Sequence, residues 1–255
     1  MSTSLASLRQ RCGHTAGVLR RQLSPGAAGV PPAVAEELER SDWSPDETED
    51  YCVRCGATGP GEALGPGGCA FCVNQRMPWD RVTRLGAYVP PLDGWIKAMK
   101  YRRQWPISPW LGGLLAERIG EPPTNDRWPD EGPLVVHAPM HWTRRWWRGF
   151  DQAELLAKGL AHERQWRHLP LLARVRRTAP QTAIPPSQRT ANVSRAFAID
   201  ELDLEGRDVI LIDDVKTTGA TLSQCARLLR SHGARTIHVA VAAVGDPRGQ
   251  DFTVV

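Results

Sequence analysis

The stretch VILIDDVKTTGAT, residues Val209 to Thr221, sets four aliphatic residues before two adjacent acids and then a run of hydroxyls and glycine. Val209 to Ile212 reads as a buried strand, because a short aliphatic run bounded by polar residues suits the interior of a parallel sheet. Gly219 permits a tight turn with close backbone approach, and the helix that follows aims its unpaired amides and positive dipole end into that turn. Such a turn binds phosphate, with the hydroxyls of Thr217, Thr218 and Thr221 as further donors. Asp213 and Asp214 cannot face a phosphate and suit sugar hydroxyls or a hydrated Mg²⁺. The stretch describes a ligand with a phosphate at one end and a diol at the other.

Outward from it, strand and helix patterns alternate from about Arg84. RLGAYV (84–89) reads as a strand, LDGWIKAMKYRR (92–103) and PWLGGLLAERI (109–119) as helices, and LVVHA (134–138) as a second strand. A loop, the helical stretch DQAELLAKGLAHERQW (151–166) and the segment LPLLARV follow, then a polar loop and the opening stretch. The helix TLSQCARLLRSHG (221–233) and the strand TIHVAVAAV (236–244) complete the pattern. Short β-branched runs alternating with amphipathic helices predict an α/β domain with a parallel, doubly wound sheet over residues 84–255. In such sheets ligands sit beyond the carboxyl ends of the strands, where the acids and the hydroxyl loop fall.

The N-terminal third differs. Residues 1–50 carry a short amphipathic stretch and then a Pro- and acid-rich linker, with one short helix expected around Ala33 to Arg40. Residues 51–76 hold too few apolar side chains to fold by burial and need a staple. Cys52-Val-Arg-Cys55 and Cys69-Ala-Phe-Cys72 supply one: two CxxC knuckles around a glycine-rich turn suit structural Zn²⁺ on four thiolates, with disulfides or an iron–sulfur site as the alternatives. Cys12 and Cys225 lie outside this set, and Cys225 reads as a buried thiol on a helix face.

No apolar run in the 255 residues approaches the roughly 18 needed to span a membrane, and no continuous apolar leader is seen near Met1, so a cytoplasmic protein is expected. The net charge of +4 rests almost wholly on arginine and permits an anionic partner without requiring one.

Taken over all thirteen positions, VILIDDVKTTGAT resembles the motif by which type I phosphoribosyltransferases bind 5-phosphoribosyl 1-pyrophosphate (PRPP). Lys216 stands where a small apolar residue is usual in that motif. The loop PMHWTRRWWRGFDQ (139–152) is similar to the ComF family pattern, which ends in RGFNQ, and further pieces agree in order: KYR at Lys100 to Arg102, Arg174, Arg176, Thr178 and Gln181, Arg189 and Asn192, and Phe197. With the cysteines, the resemblance covers nearly everything from Tyr51 to Val244. It implies a zinc ribbon joined to a phosphoribosyltransferase-type domain. Two departures stand out: Asp151 replaces the asparagine, and His137 occupies a position that is usually apolar.

The resemblance implies roles residue by residue. Asp213 and Asp214 would hold ribose and Mg²⁺, Lys216, Thr217, Thr218, Gly219, Ala220 and Thr221 the 5-phosphate, and Arg144, Arg145 and Arg148 the pyrophosphate. The loop carrying Arg174, Arg176, Gln181 and Arg189 would close over the site, although a solvated surface loop of that composition is the alternative. Trp142, Trp146 and Trp147 offer either loop anchors or a platform for nucleobases, and His137 and His141 flank the arginine loop. The family also implies a link to DNA uptake or utilisation, so two functions stand side by side. One is a Mg²⁺-dependent, pyrophosphate-releasing transferase. The other is a non-catalytic accessory factor, meeting single-stranded DNA or a DNA-uptake helicase, that uses the PRPP site as a sensor. A domain retained only for protein contacts is a third reading. No residue stands out as a general base.

Overall fold

A computed structural model describes residues 32–59, 68–122, 127–140, 148–174, 197–199 and 203–245. The chain divides into two compact units, Met1–Ser44 and Pro45–Val255. In the first, helix α1 (Pro32–Arg40) matches the short helix read from the sequence and carries an Arg40–Glu36 ion pair one turn apart.

The second unit runs β1 (Arg81–Ala87), α2 (Leu92–Tyr101), α3 (Ile107–Arg118), β2 (Leu134–His137), α4 (Gln152–Arg164), β3 (Leu172–Arg174), β4 (Phe197–Ile199), β5 (Asp208–Lys216), α5 (Ala220–Ser231) and β6 (Thr236–Val244). Four strands form a sheet in the order β1-β6-β5-β2, and every pairing is parallel. Beyond β2 the chain after α4 adds a bridge: the Val135 amide donates to the Arg167 carbonyl at 2.9 Å and the Leu169 amide to the Val135 carbonyl at 3.0 Å. β6 is buried at all nine positions, as a central parallel strand should be, with Thr236 and His238 enclosed among its apolar residues.

Two faces of the sheet are covered. On one, Leu222, Cys225, Ala226 and Leu229 of α5 pack with Val209, Leu211, Ile237, Val239 and Val241, and the antiparallel pair β3–β4 joins them through Leu172, Phe197 and Ile199. On the other lie α3 and α4. Those two helices approach until a Cβ at Gly112 would collide with the Leu156 carbonyl, so only glycine fits there.

β1 begins three residues earlier than the sequence pattern suggests, because Arg84 is interior despite its charge. It is 1% exposed; Nη1 donates to the Gly56 carbonyl at 2.7 Å, Nη2 pairs with Asp46 at 2.6 Å, and the guanidinium lies 5.0 Å from the Tyr51 ring centroid. The end of the expected linker is therefore packed structure: the Asp46 amide also bonds to the Leu85 carbonyl, and Glu47 pairs with Arg118 at 2.5 Å. The cysteine segment belongs to the same compact unit as the sheet. No helix among the described residues is long and apolar enough to cross a membrane.

Candidate functional site

β2 and β5 are adjacent and in parallel register, with His137 opposite Ile212, and the Ala138 amide extends the ladder to the Ile212 carbonyl at 2.8 Å. The arginine loop and the acid pair therefore leave the sheet side by side at its carboxyl edge. Asp213 Oδ1 accepts from the Asp214 amide at 2.8 Å. Burial, then the neighbouring Asp214 charge, raises the Asp213 carboxyl well above the usual carboxylate range. Asp214 is paired at 3.1 Å with Lys100, from the last turn of α2, and both side chains are mostly enclosed. Lys100 is a site residue to which sequence reasoning gave no role; its place in the KYR triplet was the available signal.

Past the acids the chain turns as the motif requires. Gly219 has φ +74°, in the left-handed region, and its carbonyl accepts the Ser223 amide at 2.8 Å as α5 begins. Thr217 and Thr218 are exposed, and Thr218 Oγ1 accepts the Ala220 amide at 3.4 Å as α5 begins. Lys216 behaves differently from the rest of the loop. It is 8% exposed, and its Cε and Nζ lie 3.2 and 3.7 Å from the place where a Cβ on Gly219 would stand. Burial lowers its ammonium pKa, while the nearby cysteine sulfurs act in the opposite sense.

Of the arginine loop, Arg148 is described. It donates to Gln152 Oε1 at 3.2 Å and stands 5.4 Å from the Tyr101 ring centroid. Its Nε is buried with no hydrogen-bond partner among the described residues. Asp151 caps α4 through the amides of Ala153 and Glu154, and its Oδ2 accepts the Met140 amide at 3.0 Å, which ties the two ends of the loop together. The aspartate thus does the capping work expected of the residue it replaces. Arg144, Arg145, His141 and the three loop tryptophans lie outside the described residues, as do Arg176, Gln181 and Arg189. Arg174 ends β3, opposite Phe197, with its guanidinium 5.4 Å from that ring.

His137 pairs with His168, Nδ1 to Nε2 at 3.1 Å. Burial, together with His137 nearby, pushes His168 down to about 4.

The four cysteines converge. Cys52, Cys55, Cys69 and Cys72 are buried, their sulfurs lie within 4.8 Å of one another, and three of the separations are 3.7, 3.5 and 3.8 Å. Burial opposes ionisation of Cys52, yet amides of Cys55, Arg54 and Cys69 bring its thiol down to about 7; burial pushes Cys72 up to about 11. The set can hold a metal ion. It rests against the sheet, with the Val82 amide donating to the Val53 carbonyl at 2.7 Å and the Trp79 indole N–H to the Arg54 carbonyl at 2.9 Å. Buried Cys225 belongs instead to the α5 packing, where burial raises its thiol pKa.

Comparison with known proteins agrees with this architecture. A family model described as a phosphoribosyl transferase domain matches residues 168–252. The DNA utilization protein YhgH of Salmonella typhimurium is 33% identical over 195 residues, covering 74% of this chain and 81% of that protein. Competence protein F of Haemophilus influenzae is 32% identical over 197 residues, covering 74% and 82%. The chain belongs to the ComF family. Among solved structures, the Bacillus subtilis glutamine PRPP amidotransferase complexed with ADP and GMP is similar at 21% identity, with 54% of this chain and 26% of that one covered and a TM-score of 0.37.

Proposed function

We propose that the chain binds PRPP with Mg²⁺ at the carboxyl edge of β5 and acts as a phosphoribosyltransferase of the ComF family. The observation that carries this reading is the sequence of groups along one edge: two carboxylates, a left-handed glycine, a helix N-terminus, and the buried Arg148 Nε from the neighbouring strand's loop. Asp213 and Asp214 hold the ribose hydroxyls and the hydrated cation, which supplies charge neutralisation. The turn from Thr217 to Thr221 takes the 5-phosphate. Arg148, with Arg144 and Arg145, takes the pyrophosphate, and the loop bearing Arg174, Arg176, Gln181 and Arg189 excludes water. In transfer, the C1–O bond to pyrophosphate breaks and a bond from C1 to the acceptor forms, with the acceptor's proton released. The protein contributes positioning and stabilisation of the departing anion.

The cysteine centre suits Zn²⁺. A tetrahedral ion with Zn–S bonds of about 2.3 Å separates its sulfurs by about 3.8 Å, and the separations of 3.5 to 3.8 Å match this. With all four positions taken by protein, its role is structural. A cytoplasmic location fits a centre of reduced thiols.

A second reading draws on the relatives' names, which speak of DNA utilization and competence. Tyr101 is 65% exposed and Trp105 53% exposed, and with Arg102 and Arg103 they place aromatic and cationic groups just beyond Lys100. Such a surface suits single-stranded DNA, and the site would then sense PRPP while the ribbon meets DNA or a DNA-uptake helicase. Calorimetry with PRPP, with and without Mg²⁺, tests the shared premise: binding by the wild type and none by the Asp213→Asn/Asp214→Asn double variant is expected. Pyrophosphate release with a panel of acceptor bases favours the transferase. Salt-sensitive single-strand binding without turnover favours the accessory factor.

A further inference from the structure

Lys100 places a cation against the acid pair. Its ammonium lies 3.1 Å from Asp214 Oδ2, while Asp213 Oδ1 accepts the Asp214 amide, so one oxygen of each acid is already engaged. The pair joins two elements, the last turn of α2 and the end of β5, and its side chains are only 18% and 15% exposed. Helix α2 offers a contrast: Lys97 pairs with Asp93 one turn away on the same helix, and its side chain is 56% exposed. Water and salt screen such an exposed pair until it contributes little, whereas the enclosed one keeps most of its attraction. The C-terminal end of the helix dipole adds to the hold on the Lys100 charge. The next residue, Tyr101, has the Arg148 guanidinium 5.4 Å from its ring centroid, so the same turn of α2 meets the arginine loop as well as the acids.

A divalent ion at the acid pair competes with that ammonium. Mg²⁺ takes carboxylate oxygens and keeps several of its waters. Entering alone, it repels an ammonium held on the same carboxylate and, by displacing it, strands a mostly enclosed charge, which is costly. An anionic ligand arriving with the ion removes that cost, because a phosphate oxygen can take the ammonium over. We propose that Lys100 is the resident cation of the acid pair: it keeps a free divalent ion off Asp214 and gives way when the ion arrives with PRPP. Lys100 is then a positioning residue that sets the order of binding. The inference rests on the reading of Asp213 and Asp214 as the cation side of the site.

The test uses the full-length protein with zinc on its cysteines, Mn²⁺ as the probe ion read by electron paramagnetic resonance, and the neutral, near-isosteric Lys100→Met variant. Binding that persists in the Asp213→Asn/Asp214→Asn double variant belongs elsewhere and is subtracted. Without PRPP, Lys100→Met should bind Mn²⁺ about fivefold tighter or more, and Lys100→Arg, which restores the charge, should return to within about twofold of wild type. Mn²⁺ bound no tighter by Lys100→Met overturns the proposal. With saturating PRPP, wild type and Lys100→Met should agree within about twofold; a gap of about fivefold that persists there means that the ammonium never leaves Asp214 and overturns the exchange of partners. Should Lys100→Met not fold, Lys100→Gln carries the same comparison. If the wild type binds no PRPP, the functional reading above fails, and the ligand-free Mn²⁺ comparison by itself decides this inference.

Discussion

Replacing Asp213 by asparagine should make the ligand-free protein more stable and the ligand-binding protein useless. The carboxylate is half-buried at the end of β5 beside the charge of Asp214, and burial and that charge both push its pKa up. Like charges on neighbouring half-buried residues repel by about 1–3 kcal/mol at the effective dielectric of such sites. Lys100, paired with Asp214 at 3.1 Å, removes part of that. Asparagine keeps the oxygen that accepts the Asp214 amide. A net gain of about 1–2 kcal/mol follows, or roughly 3–6 °C in Tm for a domain of this size. The pH dependence has a defined sign. Because the folded-state pKa lies above the unfolded one, the wild type loses stability as pH rises from the unfolded carboxylate value near 4 through the raised folded value. The gap between variant and wild type should open over that window and then level off. Thermal melts in Mg²⁺-free buffer, without a chelator that would also strip a thiolate-bound metal, measure it. Adding PRPP and Mg²⁺ at a hundredfold over Kd should raise the wild type by about 2.7 kcal/mol and leave Asp213→Asn unmoved, so the order of stabilities reverses. A variant that melts lower than wild type without ligand, or gains equally from PRPP, refutes the reasoning.

Other outcomes follow from the same structure. Gly219→Ala should cost about 1–2 kcal/mol, because φ +74° is a left-handed conformation and the added Cβ meets Lys216 and Trp79; denaturant unfolding reads the loss. Asp208→Ala should cost about 2–4 kcal/mol in the same assay, since the enclosed carboxylate is bonded to Arg235 and to Thr236. His168 and His238 are pushed down by burial to about 4 and about 3, so the unfolded chain takes up their protons first; stability should fall as pH drops below about 6.5, with a slope of up to roughly 2.7 kcal/mol per pH unit for the two. Urea melts from pH 7 to 4 should show that slope, reduced by about half in His168→Asn. Cys55→Ser should release the metal and expose residues 51–76 to proteolysis while leaving the far-UV spectrum of the sheet largely intact.

The parts legible in the sequence were those written in consecutive residues. A strand, a turn and a helix N-terminus within Val209–Thr221, and two CxxC pairs, each carry their geometry in local spacing. What the sequence hid depends on strand order. Because β1 pairs with β6 and not with β2, the knuckle carbonyls of Arg54 and Gly56 meet Trp79 and Arg84 beside the end of β5. Nothing local to Arg84 tells of its enclosure, and Lys100 had no visible tie to Asp214, 114 positions later. Lys216 has a place in the motif that spacing gives; that its side chain is largely enclosed and lies against Gly219 is set by the packing of the chain and not by local spacing.

The strand order also governs how the protein can be made. The first strand, β1, finds its only sheet neighbour among the described residues in β6, the last, and β2 must wait for β5. On a ribosome adding roughly 5–20 residues per second, neither early strand can be zipped into the sheet until Val244 or Lys216 has emerged. The cysteine knuckles, by contrast, are synthesised within the first third of the chain, and a set able to hold a metal ion is complete while the rest is still being translated. A metal-filled knuckle docked on Arg81–Ala87 would keep that strand's apolar side chains and open edge occupied during the long interval before its partner arrives.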